Sequence, residues 1–120
     1  AGTNGAYHYV DLSTGGILGY YVNSAYCITG TAVLVIGTRY RIAVSRVSGV
    51  TRMFVEGVQD GSSYTDGFNY TVGTNRPILG ANGATLGANS ANGKIDEWRY
   101  TKYGRYAANY TPRSTPFPNP

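Results

Sequence analysis

The chain has 120 residues, of which 42% are hydrophobic and 13% are charged, so it suits one small domain with a buried core. Its net charge is +4, but the ten Lys and Arg residues are scattered, without the clustered basic patch of a nucleic-acid-binding protein. With one cysteine, Cys27, and one histidine, His8, an intrachain disulfide is excluded and a structural zinc site is not expected. No apolar run approaches the ~18 residues of a membrane span, so we expect neither nucleic acid nor membrane insertion.

Short β-rich runs alternate with turn clusters, which is the pattern of an all-β sandwich or barrel. Seventeen Gly and 12 Tyr fit the same interpretation. The first predicted strand covers residues 6–12 and the second covers 17–23. The run YCITGTAVLVIG that follows is one bent strand, or two strands hinged at Gly30.

The strongest local signal is a hairpin around Ser48-Gly49. Residues 39–47 alternate in character, residues 51–61 do so as well, and a short Ser-Gly turn joins them. The sequence therefore predicts two antiparallel neighbours at this point.

The second half of the chain is less regular. Short strands are predicted at 68–72 and 76–81, a polar loop at 82–93 and a strand at 94–102. From residue 103 we expect coil, because four prolines remove backbone donors and exclude a central strand: Pro112, Pro116, Pro118 and Pro120. We thus predict one domain, with a sandwich at 1–102 and a Pro-rich strap at 103–120 packed on it.

Three segments, in this order, resemble laminin-G-like domains of the concanavalin A type. TRYRIAVSRVSGVTRMFVEGVQDG resembles the hairpin W-Y-H-V-A-V-x-R … L-Y-V-D-G-x, and RPILGA resembles the next strand, x-L-x-I-G-A. GKIDEWRYTKYGRYAANYTPRSTPFP resembles the ending G-x-I-D-E-x-R-I-T-K-G-x-x-R-Y-x-x-N-F-T-P-P-x-x-P-F-P. That ending is typical of the versions found in virion and tail-fibre proteins of tailed phages. The chain departs from the family at Arg39, where Trp is usual, and at Glu56, where Asp is usual.

The resemblance implies an all-β fold, an antiparallel jelly-roll β-sandwich of the concanavalin A-like or laminin-G-like type. The family's F-T-x-E-x-W strand has no counterpart, so either the domain is a minimal version, or it lacks the N-terminal strands and its edge is completed by another chain or segment. An open sheet edge is a liability, which favours completion in an assembly. The implied function is a non-enzymatic structural or adhesion module of a phage virion: a tail fibre, an appendage or a capsid decoration. Its expected location is the virion or the extracellular space, and its expected partners are other virion subunits and a cell-surface glycan. The alternative is a carbohydrate-binding module of a secreted or cell-surface bacterial protein.

The adjacent acids Asp96 and Glu97 are the first candidates for catalysis. Neighbouring strand residues point to opposite faces, whereas a retaining glycosidase needs two carboxyls about 5–5.5 Å apart. The E-x-D-x-x-E spacing of concanavalin-like glucanases is also missing. We therefore predict no catalytic residue and no enzymatic activity, and expect these acids to cap a turn or to pair with Arg99 or Arg105.

A calcium site is the second option, because laminin-G-like domains often bind calcium at the rim of the sandwich. Asp60 and Asp66 lie close together in the stretch VQDGSSYTDG and are the candidate ligands. Calcium takes six to eight oxygen ligands, so two carboxylates are a weak set. Each also precedes a glycine, which is typical of a turn. No other cofactor is implied.

The tyrosines are the third option, because exposed aromatic rings with Asn and Arg nearby stack on sugars and form adaptable binding surfaces. The competing interpretation is that most of them line the core or pack across strands. The predicted carbohydrate-binding residues are Tyr64, Tyr70, Asn89, Asn92, Trp98 and Tyr103.

Overall fold

A computed structural model describes the backbone of residues 3–4 and the complete residues 9–70, 78–81 and 90–118. Within these ranges the protein is all-β, as predicted, and has no helix. The strands are β1 (Thr3–Asn4), β2 (Tyr9–Leu12), β3 (Ile17–Val22), β4 (Ala25–Val33), β5 (Ile42–Val47), β6 (Val50–Val55), β7 (Val58–Gln59), β8 (Tyr64–Thr65) and β9 (Asn69–Tyr70).

Two antiparallel sheets form the body of the fold. One has the order β2-β3-β4, and the other has the order β5-β6-β7 with β8 also paired to β6. The two-residue turns at 23–24, 48–49 and 56–57 have positive φ at both positions, as the type I′ turns of tight hairpins do. The predicted hairpin around 48–49 is thus confirmed. β1 and β9 add a short parallel pair, which the prediction of an antiparallel fold did not include.

The two sheets pack against each other around a shared core. Leu18, Tyr20 and Val22 of β3 meet Ile28 of β4 and Met53 of β6, and all of them are at most 5% exposed. Inward side chains alternate with outward ones along β3, which is the period of a half-buried strand. Burying an apolar side chain of this size stabilises the fold by about 1.5–3 kcal/mol. This arrangement is compatible with a β-sandwich.

A bulge in β4 is closed by a carboxylate from the other sheet. The β3–β4 register shifts within residues 29–33, so backbone groups there leave the regular ladder. The N–H groups of Thr31 and Ala32 donate instead to Oδ1 of Asp60, over 2.7 and 2.9 Å. Asp60 follows β7 and is itself bonded through its N–H to the carbonyl of Met53. The side chain therefore ties the two sheets together.

The C-terminal segment lies on the face of β5 and β6 that points away from the core. The Oγ of buried Ser45 accepts hydrogen bonds from the N–H groups of Arg105 and Tyr106, both over 2.9 Å. The N–H of Tyr110 donates to the carbonyl of Gly57 over 2.9 Å. Residues 103–118 contain no strand or helix, in agreement with the predicted coil.

Three aromatic rings hold this segment in place. Tyr106 and Tyr110 are stacked, with centroids 3.6 Å apart, and both meet the buried ring of Phe54 edge-on. A Cβ at Gly57 would overlap the carbonyl oxygen of Tyr110, so the close approach of the two segments requires glycine.

The structure corrects several of the predicted strands. The predicted strand at 94–102 is wrong, because these residues are irregular and nearly all exposed. The part of 76–81 that is described, 78–81, is not a strand either. The run after residue 25 is a single strand, β4, so Gly30 does not divide it. Residues 6–8 of the first predicted strand lie outside the described ranges.

Candidate functional site

The predicted carbohydrate-binding residues lie in two different environments. Tyr64 and Tyr70 are half-buried and pack against the core cluster. The Tyr64 hydroxyl accepts a hydrogen bond from Nδ2 of Asn23 over 3.2 Å, and the Tyr70 hydroxyl donates to Asp66. These two tyrosines therefore contribute to the packing between the sheets. This role agrees with the alternative to sugar binding, in which most tyrosines line the core or pack across strands.

Asn92, Trp98 and Tyr103 lie in the irregular segment 90–103 and are exposed. Trp98 is 57% exposed, so it is not the core anchor that a lone tryptophan often is. Asn89 lies outside the described residues. The three exposed residues stay candidates for binding, but they occupy a different part of the molecule from the packed Tyr64 and Tyr70.

The two carboxylates of the predicted calcium site are both engaged by protein groups. Asp60 is 4% exposed, and its Oδ1 accepts hydrogen bonds from Thr31 and Ala32. Asp66 pairs with Arg46, with 2.8 Å between Oδ1 and the guanidinium nitrogen. Among the described residues no group of three or more His, Cys, Asp and Glu side chains could hold a metal ion. Calcium thus stays a prediction from the resemblance.

The environment of Asp66 keeps it ionised. Burial raises the pKa of this carboxyl, but hydrogen bonds from the Tyr70 hydroxyl and the Phe68 N–H, and the charge of Arg46, lower it below the ordinary value. Arg46 also donates to the carbonyl oxygens of Asp66 and Phe68 and lies 5.1 Å from the centre of the Tyr70 ring. These contacts join β5 to the β8–β9 loop, so the role of the Arg46–Asp66 pair is to stabilise the fold.

Asp96 and Glu97 have structural partners, but not the predicted ones. Asp96 lies 3.7 Å from Arg39, and both side chains are largely exposed. Glu97 accepts a 2.6 Å hydrogen bond from the backbone N–H of Phe117, and so holds the end of the C-terminal segment. Arg99 lies over the Phe117 ring, 4.2 Å from its centre, instead of pairing with either acid.

A different aromatic surface emerges on the outer face of the β2-β3-β4 sheet. The register places Tyr9 opposite Tyr21, and Tyr21 opposite Tyr26. The rings of Tyr9 and Tyr21 are stacked with centroids 4.7 Å apart, and Tyr26 meets Tyr21 edge-on at 5.3 Å. Tyr9 is 41% exposed and Tyr26 is 53% exposed. We call these three residues the tyrosine row.

A shallow cavity of about 310 Å³ adjoins the tyrosine row, and we call it the trough. Gly19 is buried beside it, because the Tyr26 ring and Oδ1 of Asp11 lie against its backbone, where a Cβ would come within 2.9 Å of the ring and 3.0 Å of the oxygen. The lack of a side chain at Gly19 is what lets the ring pack this closely on β3. The lining residues are Asp11, Ser13, Ile17, Leu18, Gly19, Tyr26 and Thr29.

A hydrogen bond fixes the position of the Tyr26 ring. The Tyr26 hydroxyl donates to Oδ2 of Asp11 over 2.5 Å. This bond is the largest of the influences that raise the pKa of Tyr26. The edge of the trough thus presents an apolar ring face, a carboxylate and the exposed hydroxyl-bearing residues Ser13 and Thr29, a combination that suits a partly apolar ligand with hydroxyl groups.

Tyr9, Tyr21 and Tyr26 are not among the predicted carbohydrate-binding residues, although the strands that carry them were predicted. Their meeting depends on the register of three strands and on an extra residue in β4 at Cys27, between the pairs of Tyr20 with Ile28 and Tyr21 with Tyr26. Alternation alone places Tyr21 on the face opposite Tyr20. It does not say which neighbour lies beside it.

Within the described ranges the fold contains no helix with the length and apolarity needed to cross a bilayer. No protein-family model, curated protein or solved structure matches the chain. The assignment to the laminin-G-like family therefore stays a prediction from the sequence motifs.

Proposed function

We propose that this chain is a non-enzymatic adhesion module that binds a glycan through the tyrosine row and the trough. The observation that carries the proposal is the exposed Tyr26 ring, which packs over Gly19 and is bonded to Asp11 at the edge of the trough. Sugar rings have an apolar face that packs on a flat aromatic ring, and their hydroxyl groups donate to carboxylates. A cavity of about 310 Å³ is at the small end of ligand sites, which range over about 300–1,000 Å³.

The fold we propose for the whole module is the jelly-roll sandwich of laminin-G-like domains, and the setting is a phage virion, in a tail fibre, an appendage or a capsid decoration. The support is the sequence resemblance of the hairpin and of the C-terminal ending. The two packed antiparallel sheets are compatible with that fold. The segment 103–120 is, in this proposal, part of the same domain as 1–102.

The partners of the adjacent acids favour a binding role over hydrolysis. Asp96 is exposed and lies near Arg39, while Glu97 holds the backbone of Phe117. Two catalytic carboxyls of a glycosidase instead flank a bound sugar with open space between them. The carboxylate that does adjoin a cavity, Asp11, is bonded to the hydroxyl of Tyr26.

Assembly with other virion subunits is the second part of the proposal, and it rests on exposed apolar side chains. Ile36 is fully exposed in the loop after β4, next to the largely exposed Val35. Ile95 and Trp98 are more than half exposed in the irregular segment 90–103. Apolar side chains clustered on a surface mark sites of protein association. We expect Ile36→Asp to shift the protein towards smaller species in analytical ultracentrifugation, and an unchanged distribution would count against this loop as a contact.

A carbohydrate-binding module of a secreted or cell-surface bacterial protein is the alternative setting. A bacterial module would bind its glycan at the same site, so loss of binding on mutation of the tyrosine row does not distinguish it from a virion protein. The separating property is assembly, because a lone module needs no subunit contacts at the exposed apolar loop. A monomer at all concentrations, with glycan binding intact, would favour the alternative.

A glycan array tests the proposed function directly. The purified chain is applied with and without calcium, and circular dichroism confirms that it is folded. We expect selective binding to one group of related sugars, weakened by Tyr26→Ala. Silence of the folded wild-type chain under both conditions would reject glycan binding. Binding that appears only with calcium would instead support the metal site predicted from the resemblance.

A further inference from the structure

The trough carries information about the charge of its ligand. Of the seven described residues that line it, Asp11 is the one acidic or basic residue. Its Oδ1 lies over Gly19, and its Oδ2 accepts the hydrogen bond of Tyr26. Any ligand that rests on the Tyr26 ring therefore lies within a few ångströms of a carboxylate.

From this geometry we infer that the trough selects sugars that are uncharged or carry an amine, and rejects sugars that carry a carboxylate or a sulfate. The inference rests on the proposed function and adds the chemical class of the ligand. A carboxylate brought next to Asp11 meets like-charge repulsion, because none of the described residues that line the trough is a cation. A hydroxyl or an ammonium group at the same place donates a hydrogen bond to it.

The net charge of +4 suggests the opposite preference, so its distribution matters. Arg41 and Arg46 lie in or next to the β5–β6 sheet and are paired with Glu56 and Asp66. Arg99 stacks on Phe117 in the C-terminal segment. None of these three arginines lines the trough, so Asp11 is the charge that a ligand there contacts directly.

The polar groups around the trough fit a ligand that offers donors and acceptors at different positions. The Oγ of Ser13 accepts a hydrogen bond from the N–H of Ile17 over 3.2 Å, which leaves its hydroxyl proton for a ligand. Thr29 lies opposite Gly19 in the register and is exposed. The trough thus offers two hydroxyl groups, one carboxylate and apolar groups from Ile17, Leu18 and the Tyr26 ring. A hexose ring matches this set, because it has one apolar face and several hydroxyls.

The test compares sugars that carry an acidic group, an amine or no charge. Oligomers of N-acetylglucosamine, glucosamine and glucuronic acid, together with neutral and 6-sulfated galactose oligomers, are titrated against the full chain in 150 mM salt. We expect the acidic member of each set to bind about tenfold or more weakly than its neutral counterpart. Asp11→Asn should reduce that ratio, and Thr29→Lys should reverse it. Asp96→Asn is the matched control, because it removes an exposed carboxylate outside the trough and should leave the ratio unchanged.

The outcomes separate this inference from the proposed function. Equal or tighter binding of acidic sugars by the wild-type chain overturns the inference while glycan binding stands. A preference for neutral sugars that Asp11→Asn and Thr29→Lys both leave unaltered, in folded variants, overturns it too, since the selectivity then comes from elsewhere. Failure of every sugar to bind overturns the proposed function and the inference together.

Discussion

Asp60, in the loop after β7, accepts a 2.7 Å hydrogen bond from the backbone N–H of Thr31 in β4, and so connects the two sheets through a single side chain. Its Oδ1 takes the N–H of Ala32 and the hydroxyl of Thr31 as well. Gly30 makes room for the carboxylate, because a Cβ there would meet Oδ2. The bulge in β4 and the position of Asp60 therefore depend on each other.

Loss of this carboxylate should weaken the whole fold. Asp60→Ala leaves the part-buried N–H groups of Thr31 and Ala32 without this charged acceptor, and we expect the free energy of unfolding to fall by about 2–4 kcal/mol. Asp60→Asn keeps one oxygen for the same donors and should lose less. Urea denaturation followed by circular dichroism measures both variants. Equal, small losses for the two would show that the β4 bulge finds other partners.

The C-terminal segment should detach when its aromatic anchor is removed. Tyr110→Ala removes the ring that stacks on Tyr106 and meets Phe54, and truncation of a large packed ring costs about 3–5 kcal/mol when it is fully buried. Tyr110 is only half-buried, so we expect a smaller loss of stability and faster hydrogen exchange at the N–H groups of Arg105 and Tyr106. Tyr100→Ala, which removes an exposed ring outside the C-terminal segment, is the control and should leave that exchange unchanged. Slow exchange in both variants would contradict the anchoring role.

Acid should weaken the tie between β5 and the β8–β9 loop. The folded pKa of Asp66 is lowered, so its contribution to stability is fully present above the unfolded carboxyl pKa of about 3.9 and is lost as the pH falls through the lower, folded value. The stability difference between the wild type and Asp66→Asn should be constant above about pH 5 and shrink below pH 4. Denaturation midpoints measured from pH 7 to pH 2 decide this. A difference that grows on acidification would reverse the assigned direction of the pKa shift.

Alkali should act through the core tyrosine. Burial, followed by the nearby charge of Asp66, raises the pKa of Tyr20 to about 12, so the folded state holds this proton more tightly than the unfolded state does. The stability it contributes is present below pH 10 and is lost as the pH rises towards 12, by up to about 1.4 kcal/mol per pH unit. Tyr20→Phe should have a flatter stability profile in this window. Ultraviolet titration of the tyrosines is then compared between the wild type and Tyr20→Phe. The tyrosine lost in the variant should be one that ionises near pH 12 in the wild type.

The hairpin around Ser48-Gly49 was predictable because its signal is local. Ser48-Gly49 lies between two alternating runs, and the φ values of 50° and 80° are those that such a dipeptide supplies at a tight turn. The core position of Met53 follows from the same alternation. Each of these depends on a few neighbouring residues, which a sequence shows directly.

The strand at 94–102 was mispredicted for a physical reason. Its residues have strand character, but a strand exists only when another strand satisfies its backbone groups, and the described residues pair none with this segment. Glu97 takes a positive φ of 55° there and turns its carboxylate to the N–H of Phe117. Composition alone does not reveal whether a partner is present.

The tyrosine row could not be predicted because it is a property of register. Tyr9 and Tyr21 are 12 positions apart in the sequence and meet because β2 and β3 pair in one particular alignment. Tyr26 joins them because β4 has an extra residue at Cys27, in a second irregularity separate from the bulge at residues 29–33. By contrast, Tyr64 and Tyr70 were chosen for their polar neighbours and pack beside the core.

The most direct test of glycan binding at the trough compares two variants, Tyr26→Ala and Tyr103→Ala. The quantity measured is the dissociation constant of the sugar that binds best on the array. Both variants remove one exposed tyrosine, but only Tyr26 lines the trough, while Tyr103 belongs to the aromatic set chosen from the sequence. If the glycan binds at the trough, Tyr26→Ala should weaken the affinity for the sugar about tenfold or more, and Tyr103→Ala should change it less than about twofold. The reverse order of effects would contradict binding at the trough and place the glycan on the irregular segment 90–103 instead.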